Sequence, residues 1–164
     1  MRRILFLLAG VSVLGFLGWQ VREAEALIAS GDRILIELAP VDPRSLMQGD
    51  YMRLAYAMER STSVDEAIAA DSAPVAVLAV DDRGIATFRR FAFEGAPGPG
   101  EKAFRVRHDL GAGRIVVEPH SYLFQEGRAD DFAKARYGIF AVTPEGRHLL
   151  TGLADADGRR IEPK

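Results

Sequence analysis

Two short stretches concentrate the side chains that could do chemistry. In the first, Pro40 to Tyr56, Asp42 and Asp50 stand either side of Arg44, and Tyr51 follows at once. Two carboxylates around a guanidinium would suit a cation or a basic group on a partner. The same residues also have a structural use. Asp42 caps a turn at Pro43, Asp50 closes the turn after Gly49, and Arg44 pairs with one of them. In the second stretch Glu118, His120 and Tyr122 are spaced two apart, with Glu126 beyond. On an extended strand those three share a face and present an acid, an imidazole and a phenol together. General acid–base work or metal binding needs such groups. A lone strand histidine is equally an ordinary hydrogen-bonded residue.

Several chemistries are excluded by what is missing. With no Cys there is no thiolate ligand, no disulfide and no sulfur nucleophile. His108 and His148 are isolated and no zinc-type ligand spacing occurs, so no metal is expected. The lysines are Lys102, Lys134 and Lys164, none placed to serve a Ser nucleophile as base. The Gly95–Gly100 run GAPGPG holds two prolines and follows no strand-to-helix pattern, so no phosphate loop and no nucleotide cofactor are expected. A net charge of -2 with a pI near 5.9 gives no electrostatic footprint for nucleic acid. The 48% hydrophobic and 27% charged composition is that of a globular chain.

The elements that must position these residues divide the chain at Gly31. Ile4 to Val21 is apolar apart from Ser12 and Gln20, which is just long enough for one membrane-spanning helix. Arg2 and Arg3 precede it and Trp19 stands at its far end, so the N-terminus is expected on the cytoplasmic side. A cleaved signal peptide is the rival, with Ala24-Glu25-Ala26 as its cleavage site. Good helix formers continue past that site to Gly31, which reads as a C-cap and favours an uncleaved anchor. Residues 1–30 are thus expected to be anchor and juxtamembrane helix, and 31–160 an exported globular domain.

In that domain the pattern becomes short and strand-like. Strands are predicted over Arg33–Leu38, Tyr51–Glu59, Pro74–Val80, Ile85–Phe93, Phe104–His108, Arg114–Pro119, Ile139–Thr143 and His148–Leu153. Met52, Leu54, Tyr56 and Met58 form one apolar face, and Tyr51 faces the other way. Short helices are predicted over Asp42–Met47, from Ser63 to about Ala70, and from Asp130 to Arg136 with Gly138 as its cap. The last residues are polar and are expected to fray. Hairpin-length connections make the sheet largely antiparallel. The predicted fold class is therefore an N-terminal transmembrane helix plus a β-rich α+β domain with two or three short helices.

The segment from Val41 to Tyr56 carries VDPRS, Leu46 and then Gly49, Asp50, Tyr51, Leu54 and Tyr56. It resembles the GDYXXLXY family of small bacterial membrane-anchored proteins. Glu118 to Leu153 is similar to that family's second block, an aromatic-rich strand, a Glu-Gly turn, a short helix and a closing hairpin. The resemblance covers most of the chain and implies an architecture, not a reaction. The expected function is a non-enzymatic accessory or binding domain. It would be tethered through residues 4–21 to the bacterial inner membrane, facing the periplasm or the exterior, with another envelope or membrane protein, or a surface ligand, as partner. The alternative is a periplasmic hydrolase using Glu118, His120 or Asp50 in a cleft.

Overall fold

Leading the chain is one long helix, and it runs into the first strand without a linker. The computed structural model of the protein describes residues 2–39, 47–48, 51–62, 74–109 and 114–162. Helix α1 spans Arg2–Ser30 and ends where the Gly31 N–H bonds the Leu27 carbonyl at 2.8 Å. A Cβ on Gly31 would lie 2.6 Å from that carbonyl and 3.0 Å from the Val142 nitrogen, so only glycine fits this exit. Among the described residues no helix is long and apolar enough to cross a membrane. From Leu7 onward the apolar stretch of α1 is interrupted by Gln20, Arg22 and Glu23.

The last turns of α1 dock on the sheet. Leu27 is buried, and Glu23 forms an ion pair with Arg147 from the loop between the last two strands.

The strands are β1 (Asp32–Glu37), β2 (Met47–Gln48), β3 (Tyr51–Arg53), β4 (Val75–Val80), β5 (Ile85–Phe91), β6 (Glu101–Arg105), β7 (Arg107–Asp109), β8 (Arg114–Val116), β9 (Ser121–Leu123), β10 (Tyr137–Val142) and β11 (His148–Ala154). Helices α2 (Met58–Ser61) and α3 (Ala129–Phe132) are single turns. The main sheet has the order β11-β10-β1-β5-β4-β6. Its pairs are antiparallel except β1 with β5, which run parallel. A small sheet, β2-β3-β9, and a ribbon, β7-β8, close over one face.

That face holds the main core: Ile34, Ile36, Leu78, Phe91, Phe104 and Phe140 from the large sheet meet Met52, Leu54 and Tyr56 from the cover. The opposite face buries Leu35, Ile139 and Ala154. Its cover is the Asp155–Gly158 turn, with Gly158 against the Leu35 side chain; beyond the turn the Ile161 N–H bonds the Leu153 carbonyl at 2.9 Å, and Ile161 is buried in the main core. The expected fraying is therefore corrected as far as Ile161, because an apolar side chain anchors the polar turn. Two-sided cover also explains why β1 does not alternate cleanly: a central strand with both faces buried is apolar throughout.

Other expectations are corrected. The strand predicted over Tyr51–Glu59 stops at Arg53, and Met58 begins α2. All four residues of its apolar face are nonetheless buried. Gly138 is not a helix cap. It lies in β10 opposite Ile36, where an added Cβ would crowd Phe140 at 3.0 Å and Leu150 at 3.1 Å. Met47, expected in a helical turn, is in β2. The rest of that turn, Gly49 and the predicted helix after Ser63 lie outside the described residues.

Candidate functional site

Leu54 and Tyr56, the last residues of the GDYxxLxY pattern, reach directly to the second sequence block. β3 pairs with β9 in register, Met52 opposite Tyr122. Past the strand ends the pairing goes on, the Leu54 N–H donating to the His120 carbonyl at 2.7 Å. The Tyr56 side chain is completely buried, and its hydroxyl donates to the Pro119 carbonyl at 2.9 Å. Burial pushes the phenol well above its ordinary range, with Glu59 adding to the shift, so the hydroxyl remains a donor. The ring sits 5.7 Å from that of Phe140 and over Gly138, whose missing side chain leaves the space.

Glu59 completes this joint. One carboxylate oxygen accepts the Val117 N–H at 2.8 Å, and the other accepts the Tyr56 N–H at 3.2 Å as the chain enters α2. Sequence reasoning placed Glu59 at a strand end and missed this role. The available signal was a carboxylate three residues after Tyr56, the spacing at which it reaches back over a helix start.

Glu118, His120 and Tyr122 do not share a strand face. β8 ends at Val116, the Glu118–Pro119 peptide is cis, and the chain bends at Glu118 and His120 before β9 begins. Glu118 pairs with Arg107 at 2.5 Å, and both side chains are largely exposed. The His120 side chain is exposed. Tyr122 packs on Phe132, ring centres 5.3 Å apart. Tyr51 is half-buried at the start of β3. Asp42, Arg44 and Asp50 lie outside the described residues.

The histidine in the most distinctive setting is His148, which sequence reasoning set aside as isolated. It stacks on Phe104 at 3.8 Å and meets the edge of Phe140 at 5.5 Å. Burial holds its pKa below the ordinary value, opposed by the Gly146 carbonyl and by Glu118. Its Nδ1 lies 3.3 Å from the Gly146 carbonyl. Here imidazole serves as an aromatic wall of the core. Among the described residues no group of three His, Cys, Asp or Glu side chains is placed to hold a metal ion.

On the opposite face of the sheet a cleft of about 510 Å³ opens between the end of α1 and the tail. Ile28, Arg33, Thr151, Gly158, Arg159 and Arg160 are among its lining residues. The turn that presents the two adjacent arginines is built by Asp155, whose Oδ1 accepts the N–H groups of Asp157 and Arg159, both at 3.0 Å.

No curated protein and no solved structure matches the chain. The model of the GDYXXLXY protein family matches residues 13–153, which spans both blocks joined through Tyr56 and Pro119. The chain belongs to the GDYXXLXY family.

Proposed function

We propose that this protein is a single-pass membrane protein whose β-rich domain acts without catalysis, as an accessory that binds another envelope protein at the lipid surface. The observation that carries this reading is the state of α1. Ile4 and the large apolar side chains from Leu7 to Val21 are 50% to 71% exposed, and at helical spacing they point to all sides of the helix. A helix that is apolar all round needs an apolar medium about it. At about 1.5 Å per residue the run from Ile4 to Val21 nearly matches a hydrocarbon layer of about 30 Å, although the stretch counted from Leu7 alone falls short of a span. Arg2 and Arg3 favour a cytoplasmic N-terminus, which puts the domain in the periplasm of a bacterial inner membrane.

The binding role draws support from the use to which the polar residues are put. Glu59 and Tyr56 are engaged in holding the two sequence blocks together, and Glu118 is in an exposed ion pair. A hydrolase would need its acid, base and substrate pocket to converge. No observation favours that alternative. The test is crosslinking in intact membranes followed by solubilisation and identification of the attached proteins. The expected result is one recurring membrane or envelope partner that is lost when α1 is removed. Recovery of uncrosslinked monomer alone would overturn the binding role.

A further inference from the structure

We propose that the cleft lined by Arg33, Arg159 and Arg160 is a binding site for one phosphate-bearing anion, supplied by the headgroup of an anionic lipid. The inference rests on the membrane reading and adds a ligand to it. Three guanidiniums line this cleft, and among the described residues no carboxylate lines it. They are placed by the fold. Arg33 leaves β1 and donates to the Gly158 carbonyl at 3.2 Å. Arg160 donates to the Thr151 carbonyl and lies flat against Gly152, where a Cβ would come within 2.9 Å of its guanidinium. These bonds take one N–H from each guanidinium, which carries five. Arg159 has an exposed ion pair with Asp157 at 3.2 Å, which solvent weakens and an anion can displace. Asp82 and Asp157 line an adjoining cavity of about 280 Å³ that shares Arg33 and Gly158.

Position supplies the second argument. Ile28 of α1 forms part of the cleft wall. Helical rise puts it roughly 10 Å beyond Val21, a few ångströms outside the polar layer of roughly 5–7 Å that flanks the hydrocarbon on each side. An arginine side chain is long enough to reach back across that gap to phosphate diesters. Arginine forks bind such oxygens with two N–H groups at once. The docked end of α1, held by Leu27 and by the Glu23–Arg147 pair, fixes the height of the cleft against the membrane.

The experiment uses the full chain in neutral detergent micelles. It is titrated with phosphatidylglycerol, phosphatidylcholine and inorganic phosphate, with bound lipid counted by native mass spectrometry. Phosphatidylglycerol should bind one to a chain and more tightly than phosphatidylcholine. Arg33→Gln should weaken it about fivefold, the effect of one basic residue near a charged surface. Arg159→Glu alters a side chain that is 78% exposed, so it leaves the fold intact and should weaken binding further. Equal affinity in parent and variants would overturn the site. Capture of inorganic phosphate with no retained phosphatidylglycerol would overturn the lipid as its source. Trp19, the one tryptophan, reports separately on α1. If lipids with brominated acyl chains do not quench its emission once the chain is reconstituted in vesicles, the membrane reading fails, while the micelle titration still decides the cleft.

Discussion

The Tyr56 hydroxyl donates to the Pro119 carbonyl at 2.9 Å, and this bond joins two segments 63 residues apart in sequence. The GDYxxLxY pattern is thereby given a physical meaning at its last two fixed positions. Leu54 and Tyr56 are buried side chains of the segment that follows β3. Each also bonds the bend between β8 and β9, Leu54 through its N–H and Tyr56 through its phenol.

Tyr56→Phe keeps the ring and removes the donor, so it should cost about 1 kcal/mol. Tyr56→Ala also empties the space over Gly138 and should cost about 3–5 kcal/mol. Urea melts of the solubilised chain measure both. A Phe variant that melts like the parent would show that the bond to Pro119 contributes nothing.

The docked end of α1 makes residues 22–30 part of the β-rich domain. A fragment beginning at Arg22 should fold as a soluble β-rich unit, retaining Leu27 and the Glu23–Arg147 pair. A fragment beginning at Asp32 should be less stable by about 1.5–3 kcal/mol, the value of burying one leucine. Thermal melts followed by far-UV circular dichroism compare the two. Equal stability would mean that the helix end only rests on the sheet.

His148 links stability to pH. Its folded pKa lies below the ordinary 6.5, so below pH 6.5 the unfolded chain takes up a proton that the folded chain resists. Stability should therefore be complete above pH 6.5 and fall on acidification, down to the lower pKa of the folded state. In His148→Phe, which keeps the stack on Phe104, that part of the slope should vanish. An unchanged slope would assign it to other groups.

Glu101 works at lower pH. The bidentate Arg90 guanidinium, at 2.7 and 2.9 Å, and the Gly98 N–H hold its carboxyl down at about 2. Its stabilising effect is present above the ordinary 4.5 and is lost as pH falls towards 2. The same contacts, with Arg90 on the Ala96 carbonyl, tie down the Gly95–Gly100 loop. Glu101→Gln should flatten acid unfolding between pH 4.5 and 2 and increase hydrogen exchange in that loop. Unchanged acid unfolding and loop exchange would contradict this.

Much of the fold is local and was legible for that reason. The Asp81–Gly84 turn is written in its residues: Asp81 accepts the N–H groups of Arg83 and Ile85, and Gly84 takes φ +81°. The β10–β11 hairpin and the Gly31 exit are equally local. What escaped was long-range. Nothing in RILIEL says that β1 lies parallel to β5, since that neighbour is chosen by the packing of the whole sheet. Alternation from Glu118 to Tyr122 suggested one strand, because period-two spacing does not reveal a bend. Of the candidate site, the aromatic and carboxylate chemistry was visible, but not its employment. Glu59 and His148 take their roles from Val117 and Phe104, partners that only the tertiary fold supplies.

Anchoring by an intact α1 is the claim on which the rest depends, and the mass of the membrane-bound protein tests it most directly. Membranes from cells expressing the chain are washed with alkaline carbonate, and the retained protein is weighed by intact mass spectrometry. The account predicts a full-length product in the washed membrane, with residues 1–26 still attached. A soluble product beginning near Leu27 would contradict it.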